Sequence, residues 1–192
     1  MFKDRYSTPR GRGNAMPPRE LHVLGIDPGG TTGWAWITVP RTSLFGDEPS
    51  QILNWDYDEI TGPEVQQVKQ IGQLVREIQG LTYKVGPAVV IEGFDNATRV
   101  NDPEVFSPVR IAAMLSYAMF RGELGDARLV LQSRGLAKGQ MTDERLKRWR
   151  LFPHTPEGHA ADAMRHALML LRRAGQSDSF RDSLWDRSAL IA

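Results

Sequence analysis

The chain contains no cysteine and no long apolar run, and both absences restrict its function. Without cysteine in 192 residues, a disulfide scaffold, a thiolate zinc site and a cysteine nucleophile are excluded. No stretch approaches the roughly 20 apolar residues of a membrane span, and residues 1–20 lack the apolar core of a signal peptide. We therefore expect a cytoplasmic protein with no membrane partner, and the missing cysteine is compatible with a reducing compartment.

Charge is nearly balanced overall but unevenly distributed. The 24 Lys and Arg residues stand against 23 Asp and Glu, which gives a net charge of +1. Residues 1–19 and residues 134–150 each carry a net +4, so the remainder carries −7. Two basic segments on an acidic body suit a protein that contacts phosphate locally and holds carboxylates elsewhere. Solvated charge with no partner explains the distribution equally well.

Length and composition predict one domain with extensions. A domain takes roughly 150 residues, and a hydrophobic content of 41% is enough for a core. Residues 1–19, with several prolines and glycines, are predicted to be a flexible basic tail. Residues 20–175 are predicted to be the domain, and residues 176–192 a C-terminal extension that can form an amphipathic helix.

Hydrophobic periodicity predicts the order of the secondary structure elements. Five strands are predicted, at 21–27, 32–39, 51–57, 88–92 and 128–132. Four helices are predicted, from Pro63, over 107–121, over 142–150 with Thr142 as cap, and from Thr155 to Arg173. Three strands in succession followed by strand–helix crossovers predict an α/β fold with a mixed five-stranded sheet flanked by helices.

Three acidic residues lie at the ends of predicted elements. Asp27 closes the first strand, Glu92 closes the fourth, and Asp162 lies in the first turns of the last long helix. Ends of strands are where a packed sheet presents catalytic groups, and converging carboxylates suit a magnesium or manganese ion. Each acid alone has a simpler interpretation, since Asp before Pro-Gly is a common turn residue and Asp at a helix start favours the dipole.

Taken together, these residues resemble the RuvC-type Holliday junction resolvases of the ribonuclease H-like superfamily. The resemblance lies in Gly-Ile-Asp-Pro-Gly at 25–29, Thr-Gly at 32–33, Ile-Glu at 91–92 and His-Ala-Ala-Asp-Ala at 159–163. It covers roughly residues 21–175 and implies a ribonuclease H-like sheet. It further implies that Asp27, Glu92 and Asp162 are catalytic metal ligands. The family's fourth ligand lies three residues before the helix Asp, and that position is His159.

The resemblance also implies a reaction and its cofactors. Two divalent ions, Mg²⁺ or Mn²⁺, about 4 Å apart would clamp the scissile phosphate, with Asp27 bridging them. The products would carry 5′-phosphate and 3′-hydroxyl ends. The substrate implied is branched DNA, the four-way junction, and a homodimer would supply the paired nicks.

Candidate DNA contacts are Phe94, Arg134 and Lys138. Phe94 follows Glu92 by two residues, where the family places an aromatic against the base stack, although a core or loop Phe is the simpler interpretation. Arg134 and Lys138 lie in the basic segment before the last helix, which is shorter than in the family. This divergence suggests a phage-borne version, which would act in the host cytoplasm.

Other functions compete with a junction resolvase. The segment 27–33 is close to the phosphate-binding hairpin of actin-like ATPases, but a single domain leaves no room for their second lobe. A noncatalytic DNA-binding protein would not need the clustered acids. A related nuclease acting on other branched DNA or on RNA–DNA hybrids would have the same residues, so the sequence leaves that alternative open.

Overall fold

The computed structural model describes residues 20–41, 51–81, 86–93, 106–155 and 157–185. Five strands form one sheet in the order β3-β2-β1-β4-β5. The strands are β1 (Glu20–Asp27), β2 (Thr32–Pro40), β3 (Asn54–Ile60), β4 (Ala88–Gly93) and β5 (Arg128–Ser133). β1, β2 and β3 are antiparallel, whereas β1, β4 and β5 are parallel. The predicted mixed five-stranded α/β fold is confirmed.

Six helices are found in the described residues, and they cover both faces of the sheet. They are α1 (Glu64–Leu81), α2 (Phe106–Phe120), α3 (Arg134–Gln140), α4 (Asp143–Arg148), α5 (His159–Gln176) and α6 (Asp178–Trp185). Thr142 caps α4 as predicted, accepting the N–H of Arg145. No helix in these ranges is long and apolar enough to cross a membrane.

The core has two layers, one on each face of the sheet. β2 divides its side chains as its alternation predicts: Ala35, Ile37 and Val39 pack towards α5, and Trp34 and Trp36 pack towards α1 and α2. Both tryptophans are buried. Leu184 and Trp185 of α6 join the α5 layer. The division of the chain into tail, domain and extension stays a prediction, since residues 1–19 and 186–192 lie outside the described ranges.

Two glycines allow α5 to lie directly on the backbone of the sheet. A Cβ atom on Gly25 would be 2.1 Å from the Ala163 carbonyl oxygen, and one on Gly33 would be 2.0 Å from the His159 carbonyl carbon. Any larger residue would push the helix away. This close approach brings the first turn of α5 to the end of β1.

Two predicted elements differ clearly from the structure in their bounds, and one helix was missed. The third strand begins at Asn54 rather than at 51 and extends to Ile60. The last long helix begins at His159 rather than at Thr155, because the Thr155 hydroxyl is bonded to Glu59 and Gly158 takes a left-handed conformation with φ of 77°. α3 was not predicted at all, because its two glycines lower its helix propensity.

Candidate active site

Asp27 and Glu92 lie side by side at the ends of two parallel strands. Ile26 of β1 pairs with Ile91 of β4, so the two acids follow at neighbouring positions. Both are buried, and their side chains are in hydrogen-bond contact. Burial raises the pKa of Asp27 to about 6; a hydrogen bond from His159 opposes the rise, and the nearby Glu92 and Asp162 add to it.

His159 joins this pair from the first turn of α5. Its Nδ1 lies 2.6 Å from Asp27 Oδ2. The hydrogen bond to Asp27 raises the pKa of His159, and partial burial opposes the rise. The negative charges of Glu59 and Asp162 raise it further. The structure thus brings Asp27, Glu92 and His159 together.

Asp162 lies one turn further along α5 and is bound by two cations. Lys138 Nζ lies 2.6 Å from its Oδ2, and the Arg165 guanidinium contacts its Oδ1. Arg165 also contacts Asp143 and donates from Nε to the Met141 carbonyl, which ties α5 to the start of α4. A cavity of about 290 Å³ opens beside Asp162 between these residues.

Two of the three predicted DNA contacts, Lys138 and Arg134, lie in the described part of the chain. Lys138 lies on α3 and reaches Asp162, so its ammonium is at the candidate site. Arg134 is the first residue of α3. Phe94 lies outside the described residues.

Glu59 belongs to the site and was missed from the sequence. From β3 it accepts hydrogen bonds from Thr155 Oγ1 at 2.6 Å, the Glu157 N–H at 3.3 Å and the His159 N–H at 2.8 Å. Burial raises the pKa of this carboxyl, but these hydrogen bonds and one from Ala160 outweigh burial and hold it below its usual value. No motif marks Glu59, because its partners are about 100 residues away along the chain.

His166 is fully buried; its position in the sequence left both a helix-surface and a core histidine open. It lies one turn beyond Asp162 on α5. Its Nε2 faces Glu92 Oε2 at 3.7 Å, and its Nδ1 contacts Gln132 on β5. His166 is therefore both a core residue and a neighbour of a candidate ligand.

The donor set is chemically suited to a hard divalent cation. Carboxylate oxygens with one imidazole are ligands that Mg²⁺ and Mn²⁺ accept, and two buried carboxylates in contact repel each other unless a proton or cation lies between them. As they stand, however, the described residues contain no group of three acids and histidines arranged around a single ion position. The Asp162 carboxylate is paired with Lys138 and Arg165 instead. The chemistry of the four donors fits a hard divalent cation.

Comparison with known proteins identifies the fold. No family model matches the chain, and no curated protein matches it. A structure of Thermus thermophilus RuvC in complex with a Holliday junction substrate superposes with a TM-score of 0.54 at 19% identity, over 82% of this chain and 96% of that chain. Another Thermus thermophilus RuvC structure gives 0.53 at 20% identity, over 81% and 96%. The chain therefore has the ribonuclease H-like fold that is found in RuvC.

Proposed function

We propose that the protein is a metal-dependent, structure-selective endonuclease that resolves four-way DNA junctions. The observation that supports this proposal is the meeting of Asp27 and Glu92, at the ends of two parallel strands, with His159 on the first turn of α5. Asp162, which is paired with Lys138, is close enough to Asp27 and His159 for its charge to raise the pKa of both. The fold shared with RuvC is consistent with this chemistry, and the proposal rests on the residues of the site.

Each residue has a distinct part in the proposed reaction. Asp27, Glu92, His159 and Asp162 would hold two Mg²⁺ or Mn²⁺ ions. Bound ions would supply an activated water molecule and positive charge at the leaving 3′ oxygen. Burial of Asp27 and Glu92 keeps bulk water away from their carboxylates, so that their charges are poorly screened and attract cations strongly. Hydrolysis would leave 5′-phosphate and 3′-hydroxyl ends.

Lys138 would contact the DNA backbone. Its side chain is 40% exposed while it pairs with Asp162, so it can reach solvent without unfolding of α3. An ion bound at Asp162 would compete with the ammonium and free it for a phosphate. Such a contact adds affinity without sequence information and makes binding sensitive to salt.

A homodimer would match the symmetry of a four-way junction. Resolution needs two nicks placed by a two-fold axis, and a symmetric dimer presents two equivalent sites. The RuvC structure that shares the fold is a complex with a Holliday junction substrate. We extend that substrate class to this chain as a part of the proposal.

Cleavage of defined DNA substrates tests the function. The purified protein would be incubated with labelled four-way, flap, duplex and RNA–DNA hybrid substrates, with Mg²⁺, Mn²⁺ or EDTA. We expect cation-dependent, paired nicks in the four-way junction. Preferential cleavage of flaps or hybrids would show that the junction is not the preferred substrate. No cleavage of any substrate with either cation would refute the proposed nuclease activity.

The Asp27→Asn variant separates binding from chemistry. It removes one negative charge that repels phosphate, so we expect cleavage to be lost while junction binding is unchanged or tighter. Asp56→Asn is the matched control, because Asp56 is exposed on the edge strand β3 and Asn keeps the oxygen that accepts the Tyr57 N–H. Cleavage by Asp27→Asn at the wild-type rate would remove Asp27 from the catalytic site.

A further inference from the structure

A buried polar pair lies directly behind Glu92 and includes none of the predicted ligands. Gln132 of β5 is the parallel partner of Glu92 in the sheet, and His166 lies four residues beyond Asp162 on α5. Gln132 is 2% exposed and His166 is 0% exposed. Polar side chains at such depth are costly unless they are hydrogen-bonded.

The contacts of Gln132 fix which nitrogen of His166 carries the proton. Gln132 Nε2 lies 3.3 Å from the His166 carbonyl oxygen and 3.0 Å from His166 Nδ1. A carbonyl oxygen only accepts, so the atom facing it must be the amide nitrogen and not the amide oxygen. That same N–H₂ group then donates to Nδ1. A neutral imidazole with these contacts therefore carries its hydrogen on Nε2.

The Nε2–H group is directed at Glu92. It lies 3.7 Å from Glu92 Oε2, and it has no hydrogen-bond partner in the described part of the chain. This distance is longer than a hydrogen bond, so a direct bond requires the carboxylate to turn towards the imidazole. Because Nε2 carries a hydrogen, His166 cannot donate a lone pair to a metal there. A role as a ligand is therefore excluded in this arrangement, and a role in orienting a ligand is left.

We propose that Gln132 and His166 are positioning residues that orient the Glu92 carboxylate for a divalent cation. The proposal rests on the proposed function, since it assumes that Glu92 binds a metal. Gln132 would set the tautomer, and His166 Nε2–H, which faces Glu92 Oε2, would orient the carboxylate towards the ion. Partners of this kind behind a ligand typically change metal affinity by roughly 10–100-fold when they are removed.

The tautomer can be measured before any metal is added. In the full-length protein without cations, ¹⁵N NMR of the histidine side chains distinguishes a protonated Nε2 from a protonated Nδ1. We expect His166 to be held as the Nε2–H form in the wild type, and to lose that single form in Gln132→Met, which removes the amide. A His166 with its hydrogen on Nδ1 in the wild type would overturn the proposal.

Binding of Mn²⁺, followed by electron paramagnetic resonance, then tests the effect on the site. His166→Phe keeps a ring of similar shape but removes the N–H, so we expect its Mn²⁺ dissociation constant to rise roughly 10–100-fold. Gln132→Met keeps the imidazole, and we expect a smaller rise. Junction affinity without metal should be unchanged in both, because neither residue is exposed.

The outcomes distinguish this proposal from the proposed function. If the wild type binds Mn²⁺ and cuts junctions while folded His166→Phe binds Mn²⁺ equally well, the positioning role is refuted and the nuclease stands. If His166→Phe fails to fold, Gln132→Met is the deciding variant. An unchanged Mn²⁺ dissociation constant in Gln132→Met refutes the positioning role. If the wild type binds no cation and cuts nothing, both proposals fail together.

Discussion

Gly33 and Glu59 are cross-strand partners, and together they hold the start of α5 on the sheet. Gly33 leaves the space that the His159 carbonyl group fills, and Glu59 accepts the His159 N–H at 2.8 Å. One residue acts by the absence of a side chain and the other by its charge. The position of His159 beside Asp27 depends on both.

Replacing Gly33 by Ala tests the first of these contributions. The added Cβ would meet the His159 backbone at 2.0 Å, and backbone cannot rotate away as a flexible side chain can. We expect a loss of about 1–3 kcal/mol of unfolding free energy, the usual cost of overpacking, together with loss of cleavage. Gly30→Ala is the control, because a Cβ there meets nothing within 4 Å. Equal melting temperatures and activities for the two variants would contradict the close packing of α5.

Glu59→Gln tests the second contribution. Its carboxylate caps the start of α5, where a negative charge is favoured by the exposed N–H groups of the helix. We expect the variant to lose about 1 kcal/mol of unfolding free energy at neutral pH, the typical worth of a side-chain cap. Mn²⁺ binding should also weaken, because His159 is no longer fixed.

The same substitution has a pH signature. The pKa of Glu59 is lower in the folded protein than its usual 4.5, so its charge stabilises the fold fully above about pH 4.5. This stabilisation is lost as pH falls through the folded pKa, where Glu59 becomes protonated and resembles Gln. The difference in melting temperature between wild type and Glu59→Gln should therefore shrink on acidification. A constant difference from pH 7 to pH 3 would show that the charge of Glu59 is not what stabilises α5.

The sequence was sufficient to predict which strand ends carry the acidic residues of the site, but not which distant side chains contact them. Asp27 and Glu92 each follow a buried apolar strand, so their convergence could be expected from sheet geometry alone. The contacts of Glu59 with His159, and of Lys138 with Asp162, depend on how distant segments pack, and no local pattern records them. The predicted start of α5 was wrong for the same reason. Thr155-Pro156 is a typical helix start, but Glu59 accepts hydrogen bonds from the Glu157 and His159 N–H groups just beyond it, and α5 begins only at His159.

Cation binding should weaken as pH falls towards about 6, because two candidate ligands gain protons. Burial raises the pKa of Asp27 to about 6, and the Asp27 carboxylate raises that of His159 above its usual 6.5. Both groups must lose their protons to coordinate a metal. We expect the Mn²⁺ dissociation constant to start rising above pH 6.5, the reference histidine value, as His159 gains its proton, and to rise more steeply below about pH 6, where Asp27 is protonated as well. Paramagnetic resonance with the protein alone measures this.

Variants of His159 test how much this residue contributes to metal-dependent cleavage. His159→Ala should lose most cleavage, whereas His159→Asp should keep cleavage with Mg²⁺, because a carboxylate is a harder ligand than imidazole. In the wild type we expect Mn²⁺ to support cleavage at least as well as Mg²⁺. Wild-type activity and unchanged metal dependence in His159→Ala would leave Asp27, Glu92 and Asp162 as the only candidate ligands.

Lys138→Met tests the competition between an ammonium group and a metal ion for Asp162. Lys138 Nζ lies 2.6 Å from Asp162 Oδ2, so removing the ammonium exposes a carboxylate oxygen, while Arg165 still contacts the other oxygen. We expect tighter Mn²⁺ binding by the protein alone but weaker junction binding, with the salt slope of log K reduced by about one. Lys69→Met is the control, because Lys69 is exposed on α1, on the opposite face of the sheet from α5.

Weaker Mn²⁺ binding in Lys138→Met would mean that the ammonium assembles the site instead of competing for it. Unchanged junction affinity would remove Lys138 from the DNA contacts. Opposite changes in the two affinities are the specific signature of one cationic group that alternates between Asp162 and a phosphate.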